Sequence, residues 1–455
     1  MTSQPRASHT PRFRRPTTRA GPGFGIGAAT HPTKQLPCIE KFYRLSPLVA
    51  GLALLLLNSE FHRRAFANMR YIRFLKPPRV ERNTLKTLIT ITSDLGETFL
   101  PDDVTLAATL RSDDPEGDIY LRKTLKWRGG MRSLPIVFNL AFADLDWPVR
   151  VHVGTKGSPN SDHFEKHYNA EPPSIISAWS GLVDVLKGMN EAEKKVERRF
   201  TPLSNRTLSI WEETGESIAR HLWYSLSASR RLKTQTEFDI RDAGMALSAF
   251  LDRMVALQAE SLPLLEEVLS SATYKRLKVL ELGSGCGIVG IGLAQTVPDC
   301  EVILTDLPEA EELAMKNING MNAAISSDVL FNTLDWENPL PLPIRDRLFD
   351  LILVADCTYN PDSSPALVRT LAALVKRSSK AIVVVAMKVR HSSEAVFFDL
   401  MSESGFIIGS RTVLQIPGDD ETTHEKIDVY VFHDKARSQI IQMRPDAPGP
   451  PAISS

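Results

Sequence analysis

The sequence predicts an α/β protein: a Rossmann-like sheet of seven mostly parallel strands with helices on both faces, preceded by a smaller β-rich module. Two observations lead to this prediction. From about residue 205 onward, short apolar runs of strand type alternate with helical patterns, and this alternation requires a parallel sheet covered on both faces. Between residues 69 and 165, apolar side chains instead recur with a period of two, which is typical of β structure.

The composition limits the range of functions. With 455 residues, 43% of them hydrophobic, the chain is long enough for two or three domains. The 54 Lys and Arg residues balance 54 Asp and Glu residues, so no excess of positive charge indicates a nucleic-acid binder. The four cysteines form no Cys-x-x-Cys pair and no histidine cluster has metal-ligand spacing, so we expect free thiols and no metal site.

Both ends of the chain are expected to be disordered. Residues 1–39 contain several arginines and no acidic residue, and an apolar segment at 47–57 is too short to span a bilayer. We therefore interpret 1–68 as a disordered basic tail with a short apolar segment, and 436–455 as a disordered tail. Because arginine-rich, acid-free composition also fits a mitochondrial transit peptide, mitochondrial targeting stays open beside the expected cytoplasmic location, as does a nuclear one.

Residues 69–204 are predicted to form two parts. Residues 69–165 form the β-rich module, with strands at 87–94, 134–142 and 149–154. Residues 166–204 are predicted as a linker and a helix, because apolar side chains in "SIISAWSGLVDVLKGM" recur with helical spacing at Ile176, Trp179, Val183 and Leu186.

Residues 205–435 contain the alternating pattern. The predicted strands are 278–282, 301–305, 328–332, 350–355, 380–386, 406–414 and 427–432. The predicted helices between them are 287–297, 308–320, 365–375 and 394–403.

The run "VLELGSGCGIVGIGLA" (279–294) places glycines between the first of these strands and the helix that follows it. Gly283, Gly285 and Gly287 let the backbone of this loop approach a ligand closely, and the N–H groups of the helix point toward it. The spacing Gly-x-Gly-x-x-Gly is by itself a weak signal, because sites for dinucleotides and for S-adenosylmethionine both use such loops.

Acidic side chains lie at the ends of three strands, and the first of them narrows the choice between these two classes of cofactor. Glu281 precedes the loop, where a carboxylate would repel a pyrophosphate but attract the sulfonium and ammonium groups of S-adenosylmethionine. Asp306 ends the next strand, where it can accept hydrogen bonds from ribose hydroxyls in either class of cofactor. Asp335 and Trp336 follow the third strand, and this pair suits an adenine, although an aspartate in a turn beside a half-buried tryptophan is the alternative.

These motifs resemble a known family. "VLELGSGCGIVGI", "LTD", "LDW" and "FDLILVADCTY", in this order and spacing, are similar to the seven-β-strand S-adenosylmethionine-dependent methyltransferases, and more narrowly to the protein-lysine methyltransferases among them. The resemblance covers roughly residues 205–435. It implies S-adenosylmethionine as cofactor, with Ser284 and Ala355 beside it, and a tryptophan-centred motif, "LSIWEETGESIARHLW", that places Trp211 over the cofactor.

The resemblance also implies an acceptor site. In "ADCTYN" (355–360), Asp356 and Tyr359 match an Asp-x-x-Tyr motif that lies beside the transferred methyl group in the family. Methyl transfer to nitrogen needs a neutral amine facing the sulfonium. Asp356 can orient a lysine ammonium and receive its proton, and Tyr359 can fix the nitrogen and form a wall of the channel.

The expected reaction is therefore methyl transfer to a lysine of a protein substrate, in the family an elongation factor or a chaperone. Two alternatives stay open: a small-molecule N-methyltransferase acting on a nicotinamide-like amine, and a catalytically silent interaction module. The chain lacks the Asn-Pro-Pro-Tyr motif of methyltransferases acting on nucleic acid or glutamine, so we expect no nucleic-acid partner. A monomer without stable membrane association is expected, and Lys388, Arg390 and His391 are candidates to meet an acidic substrate surface or to form an exposed loop.

Overall fold

The computed structural model describes residues 69–94, 96, 98–114, 117–157, 160–164, 174–213, 242–257, 262–358, 362–388, 395–417 and 424–435. The predicted tails at 1–68 and 436–455 lie outside these residues, and so do Tyr359, Arg390 and His391.

Eleven strands precede residue 214 in the described part of the chain. They are β1 Arg70–Glu81, β2 Thr84–Thr92, β3 Val104–Ser112, β4 Ile119–Trp127, β5 Leu134–Asn139, β6 Val149–Thr155, β7 Asp162–His163, β8 Ile175–Ile176, β9 Ala178–Ser180, β10 Lys195–Thr201 and β11 Leu208–Glu213.

These strands form two sheets. The first has the order β5-β2-β1-β8, and the second has the order β11-β10-β9-β6-β3-β4, with β7 paired to β10. One buried cluster contains Ile72 and Ile89 of the first sheet together with Leu106 and Val151 of the second. Period-two alternation places these side chains on inward faces, so the two sheets enclose a common core.

The helix predicted within 174–189 is wrong. Residues 175–176 and 178–180 are strands, and only Val185–Lys187 form a single 3₁₀ turn. Every residue from 174 to 180 is buried. A segment buried on both faces shows no alternation, so its apolar spacing does not distinguish a strand from a helix.

A third sheet follows, built from β12 Leu277–Leu282, β13 Cys300–Asp306, β14 Asp328–Thr333, β15 Leu351–Ala355, β16 Ile382–Lys388, β17 Phe406–Pro417 and β18 His424–Asp434. Its order is β14-β13-β12-β15-β16-β18-β17. Only β18 runs antiparallel to its neighbours. The predicted seven-stranded, mostly parallel sheet is therefore confirmed.

Helices cover both faces of this sheet. They are α1 Asp242–Leu257, α2 Pro263–Ser270, α3 Ile288–Thr296, α4 Glu311–Gly320, α5 Leu342–Arg345, α6 Ser364–Arg377 and α7 Ala395–Glu403. Buried side chains of α1 and α3 pack on one face, and those of α6 and α7 pack on the other. The sequence analysis located α3, α4, α6 and α7 but missed α1, α2 and the short α5.

The core on the α1 and α3 face of the third sheet also includes side chains from before residue 214. Tyr71, Phe200 and Leu208 lie in the same buried cluster as Leu247 of α1 and Ile291 of α3. All described residues belong to one compact unit. In this described part of the chain, no helix is long and apolar enough to cross a bilayer, and no group of acidic, histidine and cysteine side chains could hold a metal ion.

Candidate functional site

The glycine loop between β12 and α3 has a backbone that glycine alone adopts readily. Gly283, Gly285 and Gly287 have φ angles of 63°, 54° and 82°, in the left-handed region that costs residues with a side chain about 1–2 kcal/mol. The N–H of Gly287 donates to the carbonyl of Ser284 (2.8 Å), and the N–H of Ser284 donates to the carbonyl of Thr305 on β13 (3.0 Å). These bonds hold the loop over the carboxyl end of the sheet.

The loop is packed on two sides and open at one point. A methyl group added at Gly283 would lie 2.5 Å from Sγ of Cys357, and one added at Gly287 would lie 2.6 Å from a methyl group of Leu304. At Gly285, no described atom would come within 4 Å of the added methyl group. A ligand can therefore approach the backbone at Gly285.

Asp306 lies at the end of β13, directly beside this open point. Its Oδ2 accepts a hydrogen bond from the N–H of Gly285 (2.7 Å), and its Oδ1 accepts one from the N–H of Leu307 (2.7 Å). Burial raises the pKa of this carboxyl above its usual value, and the two backbone N–H groups oppose that shift. Each oxygen retains one lone pair for a ligand.

Glu281 lies below the loop, facing α3. It is 2% exposed, and its Oε2 accepts a hydrogen bond from the N–H of Gly290 (2.8 Å). Burial raises its pKa to about 8, and the nearby Asp306 carboxylate adds to the shift, while the bond from Gly290 opposes it. Glu281 is therefore largely protonated at neutral pH unless a positive charge comes close.

Asp335 and Trp336 follow β14 at the same edge of the sheet. Asp335 Oδ1 accepts from the N–H of Glu337 (3.0 Å), and its Oδ2 accepts from the side-chain amide of Asn338 (2.9 Å), so this carboxylate also stabilises its own turn. A methyl group added at Gly283 would lie 3.1 Å from the Trp336 ring. The indole therefore lies directly against the glycine loop.

The segment after β15 contains the predicted acceptor residue. Asp356 follows Ala355 and has a φ of 55°, an uncommon value for a residue other than glycine that occurs often at functional sites. Its N–H donates to the carbonyl of Ala386 on β16 (2.9 Å), which fixes the turn after β15 to the neighbouring strand. Cys357 then brings its Sγ within 3.4 Å of the carbonyl oxygen of Leu282, so the acceptor turn packs against the glycine loop.

Trp211 lies on β11, the edge strand of the second sheet. Its ring has Nζ of Lys316 3.8 Å from the centroid, and the guanidinium carbon of Arg150 at 5.0 Å. Its backbone is bonded to the side chain of Asn317 on α4. The Trp211 ring therefore contacts the side-chain cations of Lys316 and Arg150. Its predicted position over the cofactor stays a prediction.

The residues at the loop fit a nucleoside. Each Asp306 oxygen can accept a further bond from a hydroxyl group, and the backbone at Gly285 is open beside it. The hydroxyl oxygen of Ser284 is buried and has no hydrogen-bond partner among the described residues. A buried polar atom of this kind is normally satisfied, and a bound ligand would supply its partner.

Three residues beside this site were missed or misread. Asn317 is 1% exposed and reaches the loop from α4, and a polar residue on the apolar face of that helix was the only signal in the sequence. Asp242, at the start of α1, accepts a bond from the hydroxyl of Tyr71 (2.8 Å) and from Nζ of Lys388 (3.0 Å). Lys388, a candidate substrate contact in the sequence analysis, therefore points at a buried carboxylate.

Comparison with known proteins adds independent information. Residues 202–404 match a family profile described as lysine methyltransferase. A Schizosaccharomyces pombe protein of the UPF0665 family is 27% identical over 340 residues, which cover 72% of this chain and 91% of that protein. Protein-lysine N-methyltransferase EFM2 of Saccharomyces cerevisiae is 28% identical over 143 residues, or 30% of this chain and 34% of EFM2.

The EEF1A lysine methyltransferase 3 of Xenopus tropicalis is 31% identical over 130 residues, which cover 29% of this chain and 56% of that enzyme. The chain thus spans about a third and just over half of the two named methyltransferases, and almost all of the S. pombe protein. The similarity to the named enzymes extends over less than a third of this chain.

Proposed function

We propose that this chain transfers a methyl group from S-adenosylmethionine to a lysine of a protein substrate, as the match of residues 202–404 to the lysine methyltransferase family profile supports. The observation that carries the proposal is the contact between the two halves of the site. The Asp356–Cys357 turn packs against the glycine loop at Gly283, so an acceptor held by Asp356 and a ligand held by the loop would be neighbours.

Several residues would hold the cofactor. The oxygens of Asp306 would accept bonds from the ribose hydroxyls, and the backbone at Gly285 would lie along the nucleoside. Trp336 would cover the adenine, with Asp335 sharing its carboxylate between its own turn and the exocyclic amine. Glu281 would lose its proton beside the positive charge of the bound group. When bound, S-adenosylmethionine supplies a methyl group on a sulfonium that a neutral amine can attack.

Asp356 would act on the acceptor. It is 7% exposed, and a carboxylate with so little access to water interacts strongly with a lysine ammonium. Asp356 would orient the ammonium toward the loop and hold the proton that the nitrogen must lose before it can attack. Fixed positioning of this kind lowers the barrier by several kcal/mol in well-oriented reactions, on the order of 7–11 kcal/mol at most. Tyr359 is proposed as the second acceptor residue from its motif alone.

The substrate class is proposed from the relatives. EEF1A lysine methyltransferase 3 is named for its action on eEF1A, and the similarity to it covers 29% of this chain. We therefore propose eEF1A, a translation elongation factor, as the first substrate to test.

The first experiment incubates the full chain with radiolabelled S-adenosylmethionine, purified eEF1A, and in parallel a lysate from cells lacking the protein. We expect one labelled protein band in each. Asp356→Asn should lose at least about a hundredfold in labelling rate, the usual range for a general acid or base, while its affinity for S-adenosylmethionine stays within about threefold. Asp306→Asn should instead weaken the affinity, because an amide cannot accept bonds at both atoms.

Asp346→Asn is the matched control, because Asp346 is an exposed aspartate at the end of α5. Equal loss of affinity in Asp356→Asn and Asp306→Asn would contradict the division of roles. Binding of S-adenosylmethionine without any labelled protein would contradict protein methylation, and labelling of small amines in its place would replace the proposal.

A further inference from the structure

The side chain of Asn317 connects three separate parts of the chain. Its Nδ2 donates to the carbonyl of Trp211 on β11 (2.9 Å) and to the carbonyl of Cys286 in the glycine loop (2.8 Å). Its Oδ1 accepts from the N–H of Trp211 (2.8 Å). The residue belongs to α4 and is 1% exposed.

Chemistry fixes the orientation of this amide. The two carbonyl oxygens can only accept, so both must face the NH₂ group, and the N–H of Trp211 can only donate, so it must face Oδ1. All polar atoms of the side chain are then used. No other amino acid of the same size offers two donors and one acceptor in this arrangement.

On the side of β11, the Asn317 side chain bonds backbone groups that a neighbouring strand would otherwise bond. β11 is an edge strand, and its outward N–H and C=O groups have no neighbouring strand in the described part of the chain. At Trp211 both groups are bonded to the Asn317 amide, which resembles a peptide group. The second sheet is thereby attached to α4 at one defined residue.

On the other side, Asn317 holds the loop. Cys286 lies between Gly285, whose N–H is bonded to Asp306, and Gly287, whose N–H is bonded to Ser284. The bond from Asn317 to the carbonyl of Cys286 fixes the peptide group between Cys286 and Gly287. The Cys286 carbonyl oxygen is thereby bonded to α4, while the backbone at the neighbouring Gly285 is open.

We propose that Asn317 is a positioning residue: it holds the glycine loop in the conformation that binds the cofactor, and it connects that conformation to β11. This inference rests on the proposed function, because it requires the cofactor to bind at the loop. Asn317 is bonded to the far side of the loop peptide, so its effect on affinity is transmitted through Cys286.

The test measures binding of S-adenosylhomocysteine, the demethylated form of the cofactor, to the full chain by isothermal titration calorimetry. Asn317→Asp keeps the volume of the side chain but places an oxygen against two carbonyl oxygens. We expect its dissociation constant to rise at least tenfold with a stoichiometry close to one. Asn319→Asp, at an exposed position two residues along the same helix, is the matched control and should stay within twofold of the parent.

Asn317→Ala is the second variant, because it removes all three bonds without introducing charge, and it should also raise the dissociation constant. A residue needed only for folding would lower the stoichiometry and leave the dissociation constant of the folded fraction unchanged. A lowered stoichiometry with an unchanged dissociation constant would overturn the inference. So would loss of the cooperative unfolding transition in both variants, or unchanged binding in both. Failure of the parent chain to bind S-adenosylhomocysteine would instead overturn the proposed cofactor site itself.

Discussion

Glu281 is a residue whose protonation we expect to differ between the free site and the site with cofactor bound. Its carboxyl group is almost fully buried beside the Asp306 carboxylate, and its pKa is raised to about 8. When no ligand is bound, protonation of Glu281 avoids the free-energy cost of burying a negative charge there. The N–H of Gly290 supplies a single hydrogen bond to the carboxylate, which is too little to offset the cost of burying its charge.

This raised pKa predicts a pH dependence of stability. The folded pKa lies above the usual 4.5, so between pH 4.5 and 8 the unfolded chain has lost a proton that the folded chain retains. The contribution of Glu281 is thus fully present below pH 4.5 and is lost at about 1.4 kcal/mol per pH unit up to pH 8. Glu281→Gln cannot titrate and should remove this slope.

The measurement is urea unfolding of both proteins without cofactor at pH 5.5 and 7.5. We expect the free energy of unfolding of Glu281→Gln to gain about 2–3 kcal/mol relative to the parent between these pH values. Glu266→Gln, at an exposed position on α2, should show no such gain. A parallel pH dependence in the parent and Glu281→Gln would show that Glu281 is ionised in the folded chain.

The residues of the site differ in how far the sequence could reveal them. Glu281, Gly285 and Asp306 lie at or near strand ends within a short stretch, so local pattern and strand order predicted together that they share one site. The bonds of Asn317 to Trp211 and of Asp242 to Tyr71 join residues 106 and 171 positions apart. No local pattern specifies such pairs, because they depend on how two sheets pack.

At the level of elements, strands buried on both faces were predicted well where a helix followed each one. The strand predicted at 278–282 is observed as β12, Leu277–Leu282, and that at 301–305 as β13, Cys300–Asp306. The segment 174–189 was predicted wrongly with the same kind of apolar run. A helix follows each strand in the first case, whereas another strand, β10, follows the segment 174–189.

In the loop between β12 and α3, we predict that one substitution weakens cofactor binding beyond its effect on the stability of the fold. Gly285→Ala adds a methyl group into open space at a φ of 54°, so it should cost only about 1–2 kcal/mol of stability through backbone strain. The same methyl group would occupy the approach to the loop, and the affinity for S-adenosylmethionine should fall at least about tenfold, or about 1.4 kcal/mol.

Gly405→Ala is the matched control for this change. Gly405 lies between α7 and β17 with a φ of 87°, and a methyl group added there also meets no described atom within 4 Å. Thermal unfolding and calorimetric binding are measured for both variants. A similar loss of stability in both, with a loss of affinity only in Gly285→Ala, is expected; equal affinities would contradict a ligand at this loop.

Across the whole molecule, the strands before residue 214 are part of the surroundings of the site. They contribute to the core below α1 and α3, and they reach the site at two places. Asn317 connects β11 to the glycine loop, and Tyr71 of β1 connects to Asp242 of α1 and through it to Lys388 at the end of β16. β16 pairs with β15, which ends at Ala355 beside the acceptor turn. The first connection therefore ends at the glycine loop, and the second ends at the strand that pairs with β15, which leads into the acceptor turn.

The second connection predicts a strong response to removal of one charge. Tyr71 and Asp242 are fully buried, and burial raises the pKa of Asp242, while the Lys388 ammonium opposes that shift. Lys388→Met would leave the carboxylate without this cation and should destabilise the fold by about 3–5 kcal/mol at pH 7.5. Without the cation the folded pKa of Asp242 rises further above its unfolded value, so the loss should shrink as the pH falls toward 5.

The double variant Asp242→Asn with Lys388→Met separates this charge effect from loss of packing. It removes both charges of the pair, and the introduced asparagine can still accept the bond from Tyr71, so the double variant should recover most of the stability lost in the single variant. Lys376→Met, at an exposed position on α6, should stay within about 0.5 kcal/mol of the parent. Urea unfolding measures these three variants and Asp242→Asn alone, which completes the double-mutant cycle. Additive effects of Asp242→Asn and Lys388→Met in the double variant would mean that the two charges do not interact, and the hydrogen bond from Tyr71 to Asp242 would then be the polar connection that remains between β1 and α1.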